Sequence, residues 1–378
     1  MRSANRNHGN QIQHQIHADR RRLAACRHQM QGGNTVSRHL KIIAPAVVAV
    51  LALAACGGGT EPASTAADEP ADDTQTEDTQ EEDTSEAAEY NGVTIGWSQA
   101  NNGDVWRINQ TNNVEDTCKS IMPGVEVIST DGQGDAAKQS ADVDDLIARG
   151  VDVLILTPLT AEELTPSAQR AMDAGVPVIT LDRAVGTEVT QHIGADNKLI
   201  GKTAAEFVAM TLLEGNGGKV IEIQGVLGAS ATTDRHDEFV ATLEADHPDV
   251  EIIESQPGDY RRENALELMN DMLQRFGPGD YDVVYTHNDE MALGVVQALE
   301  TAGRVGEADV VGIDGQNEAI QAIADDRIAA TFTYDNAGKE GCESAKRLVD
   351  GETIDPQWVL PTNQIDATNA DEWIGEGF

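Results

Sequence analysis

Six short apolar runs in this 378-residue chain end on residues able to exchange hydrogen bonds. Residues 153–156 are followed by Thr157, 176–181 by Asp182 and Arg183, 283–286 by His287 and Asn288, and 310–313 by Asp314. Residues 219–224 lead through a glycine-rich loop to Arg235 at the start of the next helical stretch. Residues 93–97 lead to Ser98 and Asn102, with Trp106 and Arg107 just beyond. Aspartate and asparagine exchange hydrogen bonds with hydroxyls, and arginine donates in a planar fork. Trp106 and Tyr260 offer flat apolar faces. A polyhydroxylated ring such as a sugar needs that combination of apolar walls and a few fixed polar groups. Taken singly, an aspartate after a strand more often caps a helix or turns the chain. The recurrence of polar residues at these strand ends favours a binding site.

The runs must be strands for this to hold. Residues 93–97, 125–128, 153–156, 176–181, 219–224, 251–256, 283–286, 310–313 and 329–333 are short and β-rich, and stretches of helical period separate them. Leu266, Met269 and Leu273 share one face of a predicted helix over 262–275, and Val143, Leu146 and Ile147 share one over 136–148. Repeated strand–helix units predict α/β architecture with parallel sheets covered by helices. The strand count and the length fit two lobes better than one. In such open sheets ligands sit beyond the carboxyl ends of the strands, where the polar residues fall.

Catalysis finds less support. Gly132-Gln133-Gly134-Asp135-Ala136-Ala137 fits a dinucleotide fingerprint, but Asp135 at the helix start opposes a pyrophosphate and the unit is second in the chain. No nucleophile elbow, zinc spacing or EF-hand loop is present, and His287 beside Asn288 reads as structural. The expectation is a binding protein, not an enzyme, with no cofactor and no metal.

With 26 Lys and Arg against 65 Asp and Glu, the net charge of −39 repels a phosphate backbone, which argues against nucleic-acid binding. Charge is uneven. Residues 1–55 hold eight basic residues and one acid. Arg38 and Lys41 precede an apolar run over 42–52 and then Leu53-Ala54-Ala55-Cys56, the layout of a secretory signal. That ending resembles a bacterial lipobox, which implies cleavage before Cys56, acylation of it and a lipid anchor in the membrane. Residues 36–55 are then the signal peptide. The His-, Gln- and Arg-rich residues 1–35 read as upstream sequence ahead of a true start at Val36. Residues 56–90 form the lipidated cysteine and an acidic tether, with twelve acids and no basic residue over 57–89.

From 91 to 350 the chain resembles the periplasmic sugar-binding proteins of ABC importers, of the ribose-binding type and closest to the galactofuranose-binding branch. The matching runs are Ile95-Gly96-Trp97-Ser98-Gln99, Gly103-Asp104-Val105-Trp106-Arg107, Asp131-Gly132-Gln133, Val178 to Arg183, Gln224 to Ser230 with Asp234-Arg235, Ser255 to Tyr260, Tyr285 to Met291 and Gly312-Ile313-Asp314-Gly315. The resemblance implies two doubly wound parallel-sheet lobes, 91–196 with 334–361 and 197–333 with 362–378, joined by a hinge of three crossings. It places Asp182 and Arg183 of the first lobe, and Arg235, Tyr260, Asn288 and Asp314 of the second, around the ligand. Trp106 and Arg107 match a ring-clamping pair, Thr157 stands where ribose binders carry asparagine, and Ser98, Asn102 and Thr333 are further contacts. The implied role is that of a monomer which captures a monosaccharide and delivers it to an ABC permease from the outer face of the membrane or the periplasm. The alternative is a receptor that signals. Three arginines (107, 183, 235) against two aspartates (182, 314) leave a sugar acid open beside a neutral sugar. Cys118 and Cys342 lie on predicted helices of the first lobe and are candidates to pair outside the membrane.

Overall fold

A computed structural model describes residues 89–378. The signal peptide, the Cys56 anchor and all but the last two residues of the tether lie outside the described residues. The strands are β1 (Thr94–Gln99), β2 (Glu126–Asp131), β3 (Val153–Leu156), β4 (Val178–Leu181), β5 (Gln191–Ala195), β6 (Gly218–Gln224), β7 (Val250–Pro257), β8 (Val283–Thr286), β9 (Asp309–Val311), β10 (Ala330–Phe332), β11 (Gln357–Leu360) and β12 (Gln364–Asp366). The helices are α1 (Val105–Ile121), α2 (Ala136–Arg149), α3 (Ala161–Asp173), α4 (Asn197–Phe207), α5 (Ser230–Asp246), α6 (Arg262–Arg275), α7 (Asp289–Thr301), α8 (Asn317–Ala324), α9 (Gly338–Val349) and α10 (Ala370–Trp373).

These build two six-stranded sheets, ordered β2-β1-β3-β4-β5-β11 and β7-β6-β8-β9-β10-β12. Pairing is parallel except for β12, which runs antiparallel to β10. In each sheet the order reverses beside its first strand, and that reversal opens a crevice at the carboxyl ends. Helices cover both faces. Ile95, Trp97, Val153, Ile155, Ile179 and Leu181 pack with α1 and α9, while Leu154, Leu156 and Val178 pack with Val143, Leu146 and Ala168 of α2 and α3. The two-residue alternation of a strand explains the split. Four-residue strands such as β3 and β8 are buried throughout, which is why they read as continuous apolar runs.

The chain passes from the first lobe to the second between Ala195 and Asn197, returns between Phe332 and Gly338, and leaves again between Leu360 and Gln364. The sequence reading missed β5, β11 and β12. Each is short, and β11 and β12 lie at sheet edges, where one side has no partner strand and apolar patterning is weak.

Cys118 of α1 and Cys342 of α9 form a disulfide with Cα atoms 5.1 Å apart, closing a loop of 224 residues. A cross-link over so long a loop restricts the unfolded chain strongly. Reduction, or Cys118→Ala with Cys342→Ala, is expected to lower the unfolding free energy by about 2–5 kcal/mol. Urea midpoints measured with and without reductant check this; coincident curves would mean that the bridge contributes nothing.

Among the described residues no helix is long and apolar enough to cross a membrane, and no group of three or more His, Cys, Asp or Glu is placed to hold a metal ion.

Candidate functional site

Side chains at the carboxyl ends of both sheets converge on one cavity, with about 310 Å³ of empty space. Its lining is Asp104, Trp106, Arg107, Asp182, Ala231, Arg235, Tyr260, Asn288, Asp314 and Tyr334. Each is held by local structure. Asp104 caps α1 by accepting from the Arg107 backbone N–H at 2.8 Å, which brings Trp106 and Arg107 into the first turn. Asp182 leaves β4 in the left-handed region, at φ 62°, and turns back toward Arg107. Asn288 caps α7 and also donates to the Tyr260 carbonyl at 3.2 Å. The helix-cap reading and the binding reading of Asn288 are therefore compatible. Asp314 follows β9 at φ 134°. Tyr260 stands over Gly225, where a Cβ would come within 2.0 Å of its ring, so that glycine is what admits the aromatic wall.

The polar groups are tied to one another as well as to the opening. Arg107 Nη2 pairs with Asp182 Oδ2 at 2.6 Å, and its guanidinium lies 4.6 Å from the Trp106 ring centroid. The Tyr334 hydroxyl donates to Asp182 Oδ1 at 2.7 Å and accepts from Asn197 Nδ2 at 3.1 Å. Arg235 Nε donates to Asn197 Oδ1 at 2.8 Å, and Nη1 donates to the His287 carbonyl. Asp289, behind Asp314, accepts from Thr331 Oγ1 at 2.7 Å and from the Gln316 N–H at 2.9 Å.

Protonation follows from these contacts. Burial alone pushes the Asp182 carboxyl up, but the guanidiniums of Arg107 and Arg183 and the Tyr334 hydroxyl outweigh it and hold the group below the usual carboxylate range. Asp314 goes the other way. Burial and then the charge of Asp289 push it well above that range, against the pull of Arg235. Burial also pushes Asp289 up to about 7, against its hydrogen bonds. The cavity thus carries a firm anion at Asp182 and, at Asp314, a carboxyl that keeps its proton longer.

Seven of the twelve residues expected around a ligand line this cavity: Trp106, Arg107, Asp182, Arg235, Tyr260, Asn288 and Asp314. The other five stand elsewhere. Ser98 is fully buried, its Oγ 3.5 Å from Gln139 Nε2. Asn102 Oδ1 accepts from Thr111 Oγ1 at 2.9 Å. Thr157 is buried and donates to the Leu181 carbonyl at 3.2 Å. Arg183 stands behind the wall, with Nε 3.6 Å from Asp182 Oδ2; it donates to the Leu159 carbonyl at 2.9 Å, and its guanidinium supports the Tyr260 ring from 5.4 Å. Thr333 sits at a crossing and accepts from the Asn363 N–H at 2.8 Å.

Sequence reasoning missed Asp104, Ala231 and Tyr334. Asp104 stands in the matching run that holds Trp106 and Arg107, with no role of its own assigned to it. Tyr334 was within reach of the strand-end rule; β10 stops at Phe332, and the side chain entering the cavity is two residues on. Ala231 carries no signal, because a small residue contributes by not filling space.

A family model described as a periplasmic binding protein domain matches residues 95–353. The ribose import binding protein of Escherichia coli is 37% identical over 240 residues, spanning 63% of this chain and 79% of that protein. The galactofuranose-binding protein of the same organism is 31% identical over 240 residues, spanning 62% and 74%. Among solved structures, an ABC transporter solute binding protein from Mycobacterium smegmatis with bound glycerol superimposes with a TM-score of 0.69 at 35% identity, over 74% of this chain and 96% of that one. With two parallel-sheet lobes, three crossings and a polar crevice at the strand ends, the chain belongs to the periplasmic binding protein family.

Proposed function

We propose that this protein captures a neutral monosaccharide in the cavity between its lobes and delivers it to an ABC permease without altering it. The observation that carries the reading is the charge of the lining. Arg183 turns its guanidinium to backbone carbonyls and Asp104 joins the wall, so two arginines face three carboxyls rather than three facing two. A sugar acid would place a further carboxylate beside Asp104, Asp182 and Asp314, where like charge already raises the Asp314 carboxyl, whereas neutral hydroxyls can donate to carboxylates and accept from guanidiniums. Trp106 and Tyr260 supply faces for the ring's C–H side. Relatives named for ribose and galactofuranose support a furanose or a related pentose or hexose.

Binding would draw the two lobes together, the hinge closure expected of two domains around a ligand. The lipobox-like Leu53-Ala54-Ala55-Cys56 supports a lipid anchor on Cys56, with the acidic tether as spacer at the outer face of the membrane. Delivery by a monomer to a permease is the reading that the transport proteins among its relatives favour over signalling.

Calorimetry with neutral pentoses and hexoses and with the corresponding uronates tests the reading. At least one neutral sugar is expected to bind, and its uronate at least about tenfold more weakly. Tighter binding of the uronate, turnover of a sugar, or no binding across the panel would overturn it.

A pH dependence follows. Sugar hydroxyls donate best to ionised Asp314, yet the free protein holds that proton above the usual range, with Asp289 titrating near 7 beside it. Binding therefore releases a proton, and affinity is expected to rise with pH. Titrations in two buffers of different ionisation enthalpy count the proton; equal heats and a flat affinity would remove Asp314 from the contact.

A further inference from the structure

We propose that the glycine-rich loop over residues 225–230 is a latch between the lobes that sets how long a sugar stays bound. The inference rests on the sugar-binding reading and gives a role to a loop none of whose residues lines the cavity.

The loop leaves β6 and runs into α5, yet its partners belong to the lobe built on β1–β5. Three contacts of different kinds hold it there. The Gly228 carbonyl accepts from the Ala161 N–H at 3.0 Å. Ala161 opens α3, and its N–H is one of the helix-end donors that the helix itself leaves unpaired. Gly228 sits at φ 82°, in the region that favours glycine. The Ser230 hydroxyl accepts from the Ala184 N–H at 2.8 Å. Ser230 is the first residue of α5, and the position before it, where a serine would cap the helix, is Ala229, with no side-chain cap bond. The hydroxyl therefore serves the opposite lobe rather than its own helix. Val226 packs, half-buried, on the apolar cluster of Ala100, Leu159 and Leu164 in that same lobe.

These contacts last only while the lobes are together. When the lobes part, both N–H groups return to water, so each hydrogen bond shifts the balance between closed and open by only about twofold to twelvefold. Withdrawing half-buried Val226 adds about threefold to tenfold. A latch of that strength slows release and still opens. Because it touches no part of the ligand, it multiplies the affinity of every sugar by the same factor and leaves the preference among them unchanged. A residue of the cavity wall would change both.

Stopped-flow tryptophan fluorescence and calorimetry on the purified full chain, with D-ribose, L-arabinose and D-galactose as probes, read these effects. Ser230→Ala and Val226→Ala should each release a bound sugar about fivefold faster, with association within about twofold and the ranking of the probe sugars unchanged. Ser230→Thr, which keeps the hydroxyl, should bring release back to within about twofold of the unsubstituted protein. If Val226→Ala does not fold, Ser230→Ala with its threonine rescue carries the test. Unchanged release in the folded variants, a loss carried by association instead, a reordered ranking of sugars, or no rescue by threonine would overturn the latch and leave sugar binding standing. No binding of any probe by the unsubstituted protein would overturn the underlying reading, and the latch with it.

Discussion

Asp314→Asn should lower sugar affinity by about 2 kcal/mol or more, roughly thirtyfold, while leaving the protein as stable as before or more so at neutral pH. The two halves of this result have one cause. Asp314 is 7% exposed, sits behind β9 with its N–H donating to the Phe332 carbonyl at 2.8 Å, and shares its surroundings with Asp289. Burial and that second carboxyl raise its pKa in the folded state. Such a group contributes stability that is complete below the unfolded pKa, near 4, and is lost as pH rises through the folded value. At neutral pH the folded state therefore carries a carboxyl it would rather not ionise, an arrangement that makes sense if a ligand pairs with it. Asparagine removes the charge and tolerates the positive φ better than alanine does. It also replaces one of the two accepting oxygens with a donor NH2, so that two hydroxyls can no longer both donate to a carboxylate. Calorimetry reads the first effect, and thermal melts across pH read the second. Lost stability with intact affinity would make Asp314 a structural residue and nothing more.

Asp182→Asn should act in the opposite sense, with the largest loss of stability of any single change in the site. Arg107 and Arg183 are 6% and 1% exposed, and Asp182 is the carboxylate that faces both. Without it two guanidiniums remain buried beside each other, and the burial and mutual repulsion that already lower the Arg183 pKa to about 10 lose their main counterweight. Breaking a buried pair from one side costs about 3–5 kcal/mol, because the partner is left uncompensated. Asparagine suits the left-handed backbone at this position, so the loss reports the charge rather than the turn. The pH profile carries the opposite sign to that of Asp314. Asp182 has a lowered pKa, so its contribution is present above the unfolded value near 4 and disappears as pH falls through the folded value. Urea unfolding at neutral pH checks the magnitude; a loss under about 1 kcal/mol would mean that water reaches the pair and screens it.

Much of this architecture was legible in the chain. Residues 153–156 and 283–286 could not sit at a surface, and the helical stretches beside them, with Val143 and Leu146 or Met269 and Leu273 on one face, had to cover them. A strand that feeds a helix and then a parallel strand leaves its carboxyl end free for polar residues, which is why Asp182, Asn288 and Asp314 were found by position alone. The strands that escaped notice, β5, β11 and β12, are defined by what they pair with rather than by their composition. Residues 191–195 contain Gln and His, and β12 is three residues long.

The order of residues by itself determined the alternation of strand and helix, the two-lobed parallel sheets and the polar character of the strand ends, because period and burial are local properties of a short segment. Only the tertiary structure decided which way each of those polar groups points. Asp182 and Arg183 are neighbours in the chain, yet the left-handed turn at Asp182 sends one into the cavity and the other to the carbonyls of a neighbouring loop. Tyr334 enters from a crossing whose path depends on both lobes at once. The charge of the cavity and the room inside it are sums over side chains from distant segments, and no local pattern records a sum of that kind.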